Sequence, residues 1–176
     1  MIYVFIADGS EEVESVAPID FLRREKFDVR IVKVGGGGLQ AVGSRGIKIV
    51  ADIHESEIDA DGLHGLDMIV LPGGAGGVED LYKSEIVKRI IEHCVENNIN
   101  IGAICAAPSV LARRGFLKNV RSTAFPSFAH YLTGGGAAAV DEPVVTDGIF
   151  TTARDVFASV DFALELAKIL KNTEKY

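Results

Sequence analysis

The sequence predicts one α/β domain, spanning residues 1–176, on a mostly parallel central sheet. Three observations carry this. Short continuous apolar runs stand at Ile2–Ala7, Met68–Leu71 and Asn100–Ile104, amphipathic stretches of helical period lie between them, and 48% of the 176 residues are hydrophobic. A strand that is apolar on both faces must be covered on both faces, which calls for helices above and below a parallel sheet. A chain of this length and hydrophobicity can close a core of its own.

Ile2–Ala7 opens as a strand, and Asp8-Gly9-Ser10 leads into a helix over Glu12–Lys26. There Val13, Val16, Ala17, Phe21 and Leu22 fall at helical spacing as the apolar face, with Pro18 near the helix start. Asp28–Val34 reads as the second strand and stops at Gly35–Gly38, a run to which no function attaches. Leu39–Val42 and Ile47–Ala51 suit a small hairpin. Met68–Leu71 is a buried strand ended by Pro72-Gly73-Gly74, and Ile86–Asn97 is a helix with Ile86, Ile90, Ile91, Cys94 and Val95 on one face. Asn100–Ile104 is a strand, Pro108–Arg114 a short helix, and Val120–Phe125 and Val144–Thr151 further strands. Asp155–Asn172 closes as a helix with Phe157, Val160, Leu164 and Ala167 at helical spacing.

Charge and cysteine usage narrow the function. Against 25 Asp+Glu stand 18 Lys+Arg, a net charge of −7. That balance argues against a nucleic acid or an anionic membrane as partner. The two cysteines, Cys94 and Cys105, make neither a disulfide framework nor a zinc pattern, and no metal site is expected. The opening segment lacks the basic start and longer apolar run of a signal peptide. No stretch approaches the roughly 18 apolar residues of a membrane span. A soluble, cytoplasmic protein is expected.

Ligands of such sheets bind at the carboxyl ends of strands, so the loops Asp8–Glu14, Pro72–Val78 and Cys105–Pro108 are the candidates. The glycines of Pro72-Gly73-Gly74-Ala75-Gly76-Gly77 match neither a Walker loop nor GxGxxG. Gly73 and Gly74 suit close backbone approach, with N–H groups facing a developing oxyanion. The strongest signal is Gly102-Ala103-Ile104-Cys105-Ala106-Ala107-Pro108. Here an apolar strand runs into one nucleophile-type residue among small neighbours and a helix follows at once, as in a nucleophile elbow. The helix start is expected to lower the Cys105 pKa into roughly the 3.5–7.5 range. A buried core thiol is the competing reading, and it is the reading for Cys94. His54, His64 and His93 read as surface residues, leaving His130 as the histidine best placed to approach the site. Glu11 and Glu12 read as solvated helix-start charges or caps, whereas Glu14 can reach the neighbouring loop. A carboxyl there would have its pKa raised and donate to sulfur.

ADGSEEVESVAPIDFLRR, SRGIKI, DMIVLPGGAGGVEDL, AICAAPSVLA and ARDVFASVDFALELA occur in the order seen in the DJ-1/ThiJ/PfpI superfamily, and the chain resembles its DJ-1/YajL branch along nearly its whole length. The resemblance implies a flavodoxin-like three-layer sandwich (class I glutamine amidotransferase-like), assembled as a homodimer and needing no cofactor. It implies that Cys105 is an oxidisable nucleophile and Glu14 its protonated partner. Gly74 and Ala106 would supply backbone N–H groups around the reacting oxygen. Arg45 and Arg154 would sit near the site and the dimer contact. Phe125 stands where some members place a histidine, Ala106 where the protease branch has one, and Asp155-Val156-Phe157-Ala158 where Gly-Pro-Gly-Thr is usual. A Cys-His protease is therefore disfavoured.

The resemblance implies action on a small aldehyde or dicarbonyl substrate, either glyoxalase III-like conversion of methylglyoxal to lactate or deglycase-like repair. The alternatives are an oxidation-sensing, chaperone-like protective dimer acting in oxidative stress through the same Cys, and, as a minor option, an amidase-type hydrolase.

Overall fold

The computed structural model describes residues 1–59 and 63–173. The chain runs β1 (Ile2–Ile6), α1 (Glu12–Arg24), β2 (Val29–Lys33), β3 (Gln40–Val42), β4 (Lys48–Val50), β5 (Ile53–His54), β6 (Met68–Leu71), α2 (Ala75–Lys83) and α3 (Glu85–Glu96). It continues with β7 (Asn100–Ile104), α4 (Pro108–Arg113), β8 (Arg121–Ser122), α5 (Ala129–Gly134), β9 (Ala138–Ala139), β10 (Val144–Asp147), β11 (Phe150–Ala153) and α6 (Ser159–Thr173). Seven strands form the central sheet in the order β10-β11-β7-β6-β1-β2-β5. Every pairing in it is parallel except the β10–β11 hairpin at one edge.

β1 shows why the sheet is covered twice. Tyr3, Phe5 and Ala7 point into a core with Val78 and Leu81 of α2 and Ile90, Ile91 and Cys94 of α3. Ile2, Val4 and Ile6 point the other way, against Ile19 and Leu22 of α1 and Phe162 and Leu166 of α6. Period-2 alternation sends successive side chains to opposite faces, so an all-apolar run fills two cores at once. The result is the expected three-layer α/β fold with a mostly parallel sheet.

Several expected elements change. Val120–Phe125 supplies only the two-residue β8, paired with β9 outside the main sheet. Val144–Thr151 is a hairpin, β10 and β11, turning at Asp147–Phe150. Asp155 is not inside a helix but caps a 3₁₀ turn, Val156–Ala158, that precedes α6. The hairpin expected near residues 39–51 forms as β3–β4. Gly35–Gly38 carries the chain from β2 to it, and Lys33 Nζ donates to the carbonyl of Gly35 within that run.

The apolar stripes read on α1 and α6 are largely on the wrong side. Val13 and Val16 are exposed, and the buried face of α1 is Glu12, Glu14, Ser15, Pro18, Ile19 and Leu22. On the last segment Phe157 is 93% exposed and Val160 and Leu164 are exposed, while Phe162, Ala163, Leu166, Ala167 and Leu170 are buried. Both helices carry apolar residues on two faces, so periodicity alone could not choose between them.

Candidate functional site

β7, β6 and β1 are neighbours at the middle of the sheet, so the loops at their carboxyl ends converge. A cavity of about 490 Å³ opens there. Of the seven residues expected at the site, Cys105, Glu14, Gly74, Ala106, Arg45 and Phe125 line it. Arg154 does not. Its guanidinium bridges Asp141 at 2.9 Å and Asp155 at 3.0 Å, while Val156 lines the cavity instead.

Cys105 directly follows β7 with φ +64°, a left-handed conformation that a residue with a Cβ adopts only where its surroundings hold it. Two hydrogen bonds hold it. Its N–H donates to Ala153 O at 2.8 Å, and its carbonyl accepts from Phe125 N–H at 2.8 Å. The second fixes Phe125 beside the cavity, where its ring is partly exposed. The expected strand-to-helix elbow is present, with α4 starting at Pro108.

Glu14 comes from the first turn of α1, which Glu11 caps by accepting from Glu14 N–H at 2.8 Å. The Glu14 side chain crosses to the neighbouring loops, is 1% exposed, and accepts from Gly73 N–H at 3.0 Å. It also hydrogen-bonds Cys105. Gly73 must be glycine for this contact: a Cβ there would sit 2.5 Å from Glu14 Oε2 and 2.8 Å from the Cys105 Cβ. Its N–H is thereby committed to Glu14 and does not face an oxyanion. The N–H groups directed at the Cys105 sulfur are those of Gly74 and Ala106.

Burial pushes the Glu14 carboxyl up to about 7, helped by the charges of Glu11 and Asp155 and opposed by Cys105 and the Gly73 N–H. For Cys105, burial raises the thiol, and the charge and hydrogen bond of Glu14 raise it further, while the N–H groups of Ala106 and Gly74 oppose. The lowering expected from the following helix is thus overturned. α4 has six residues and starts three positions beyond the sulfur's own residue, so its dipole is weak, and a carboxylate sits closer. The two groups titrate as a pair. When Glu14 holds the proton, it donates to sulfur and its opposing charge vanishes.

None of the four histidines lines this cavity. His130 stacks on Tyr131 beside a different cavity, at a centroid distance of 4.1 Å. Among the described residues no cluster of three or more His, Cys, Asp or Glu gathers to hold a metal ion.

A residue that supports the cavity wall from behind, through the backbone of Arg45, differs from the sequence reading. Glu12 is not a solvated cap: it is 4% exposed, and its carboxylate accepts from Arg45 N–H at 2.6 Å. The available signal was spacing. Counting back from Ile19 and Leu22 by helical steps reaches Ser15 and then Glu12 on the same buried face.

A three-layer sheet whose middle strands deliver a strained cysteine and a buried glutamate to one cavity defines a class of α/β proteins with a cysteine-centred site. The chain belongs to the DJ-1/PfpI family, whose model matches residues 1–169. It is 40% identical over 175 residues to Protein DJ-1 homolog B of Arabidopsis thaliana, covering 99% of this chain and 39% of that protein, so it spans well under half of that relative's length. It is 29% identical over 177 residues to the Glutathione-independent glyoxalase DJ-1 of Schizosaccharomyces pombe, covering 98% of this chain and 92% of that protein. The solved structure of Schizosaccharomyces pombe DJ-1 superposes with a TM-score of 0.89 at 27% identity, covering 95% of this chain and 90% of that one.

Proposed function

We propose that the chain works as one DJ-1/PfpI-type domain over residues 1–176, and that its Cys105 cavity converts small reactive dicarbonyls without a cofactor, turning methylglyoxal into lactate. One observation carries this: Cys105 is held in a strained turn with its sulfur facing the Glu14 carboxyl and the N–H groups of Gly74 and Ala106. The glyoxalase activity named for the Schizosaccharomyces pombe relative supports the choice of chemistry.

The Cys105 sulfur, its proton passing to Glu14, adds to the aldehyde carbon and forms a hemithioacetal. Gly74 and Ala106 N–H groups stabilise the oxygen as it gains charge. Glu14 hands the thiol proton to this oxygen, completing the hemithioacetal and regaining its charge. It then takes the proton on that carbon, the hydroxyl proton moves to the former ketone oxygen in an enediolate, and Glu14 returns its proton to the neighbouring carbon. The aldehyde carbon is thereby oxidised to the thioester level and the ketone carbon reduced to an alcohol. Water hydrolyses the thioester, releasing lactate and the free thiol. A carboxyl near 7 serves both directions of transfer at neutral pH. Deglycase-like repair would use the same attack on a glycated carbonyl.

Purified protein freed of thiols and metal is expected to form lactate from methylglyoxal, and Cys105→Ala is expected not to. No lactate above that control overturns the reading. A second reading, an oxidation-sensing protective dimer of chaperone type, is favoured by the hydrogen bonds directed at the Cys105 sulfur, which would stabilise a sulfenic or sulfinic acid. A hydrolase of amidase type is disfavoured by a cavity without histidine. Homodimer formation is supported by exposed Val13 and Val16 on α1 and Val160 and Leu164 on the adjacent α6. No described helix is long and apolar enough to cross a membrane. A cytoplasmic location remains part of this proposal.

A further inference from the structure

The β3–β4 hairpin carries Arg45 at its tip, outside the central sheet, and Arg45, exposed there, is among the residues that line the cavity of Cys105. Its placement depends on a carboxylate. Glu12, buried at the start of α1, accepts from Arg45 N–H at 2.6 Å, from Ile47 N–H at 3.3 Å and from Ser44 Oγ at 3.2 Å. Ser44 N–H donates to Ser10 O at 2.9 Å, tying the same turn to the loop after β1. Gly43 completes the fit, since a Cβ there would overlap the Glu12 carboxylate. Burial raises the Glu12 pKa, but the N–H groups of Arg45, Glu12 itself and Ile47 and the hydroxyl of Ser44 outweigh it and leave the carboxyl below its ordinary value. The clamp therefore stays charged at neutral pH.

We propose that Glu12 is a positioning residue that clamps the 43–47 turn and so fixes Arg45 at the mouth of the Cys105 cavity, giving that thiol a preference for anionic over neutral reactants. This rests on Cys105 as the reacting group, but not on dicarbonyl turnover. A cation held beside a partly enclosed thiol concentrates anions there, and one swinging free on an open turn does so far less.

The test compares alkylation of Cys105 by iodoacetate and by iodoacetamide, read by peptide mass, with core Cys94 as an internal reporter of unfolding. The ratio of the two rates is expected to fall roughly three- to tenfold in Arg45→Ala. It is expected to fall as far in Glu12→Ala, and no further in the double variant. Glu12→Gln, which keeps an acceptor for the Arg45 N–H, is expected to hold the ratio near that of the unsubstituted chain. Gly43→Ala, which displaces the carboxylate without changing charge, is expected to lower it. A normal ratio in Glu12→Ala or in Arg45→Ala overturns the proposal, as does an additive double variant or an equal loss in Glu12→Gln. If Cys105 of the unsubstituted chain accepts neither reagent, the reading beneath the proposal fails and takes the proposal with it.

Discussion

Cys94 and Cys105 lie in the same fold, and their contrast shows what makes a thiol a site. Both are largely withdrawn from water, and for both burial is the largest cause of a raised pKa, with Cys94 pushed up to about 12. For Cys94 burial is the whole story: it sits on the buried face of α3 among Ile90, Ile91 and Val87. Cys105 differs in its polar surroundings. A left-handed backbone turns its sulfur towards two N–H groups and a carboxyl whose own pKa is raised to about 7. A chemically useful cysteine is therefore defined less by exposure than by a neighbour able to take its proton.

The sharpest way to break this contrast is to remove the thiol itself. Cys105→Ala is expected to lower lactate formation by about a hundredfold or more, measured as initial rate. Gly73→Ala comes next, because the added methyl meets the Glu14 carboxyl and the Cys105 Cβ together. Turnover should fall about tenfold or more, with the loss mainly in kcat. The folded chain should retain its circular dichroism.

The third prediction concerns pH. The Glu14 carboxyl is raised from 4.5 to about 7 in the folded chain. Its stabilising contribution is complete below the ordinary value and is lost as pH rises through about 7, because the folded chain binds that proton more tightly than the unfolded one. The loss is on the order of 3 kcal/mol. Between pH 5 and pH 8 the Tm of the unsubstituted chain should therefore fall roughly 5–10 °C further than that of Glu14→Gln. Parallel curves would contradict the raised carboxyl. The smallest effect on chemistry belongs to the other cysteine. Cys94→Ala should keep turnover within about twofold while costing about 1–2 kcal/mol of stability, read by urea unfolding.

The same contrast separates the features legible in the sequence from those that only the folded chain shows. β1, β6 and β7 were legible because they are apolar on both faces, and the elbow because Cys105 stands at the end of one such run. Cys94 was legible as core from its place among Ile90 and Ile91. The direction of the Cys105 pKa was not, because it depends first on how deeply the fold buries the thiol and then on a carboxyl distant in sequence. The burial of Glu12 was hidden for a related reason. In the run Glu11-Glu12-Val13-Glu14 the acids look alike, and only the rotation of α1 separates a helix cap, a carboxylate bound to the Arg45 N–H and one that crosses to the Gly73 N–H. That rotation was misread because Val13 and Val16 offer a second apolar stripe. Arg154 is not among the residues lining the cavity, and its ion pairs with Asp141 and Asp155 are set by the fold of the chain around it.

The most direct test of the central claim treats the folded protein with hydrogen peroxide and locates added oxygen by peptide mass. Cys105 is expected to gain one or two oxygens before Cys94 gains any, and Glu14→Ala to change the rate at Cys105 alone. Equal oxidation of the two cysteines, or oxidation of Cys94 first, would contradict the claim that the surroundings of Cys105 set it apart.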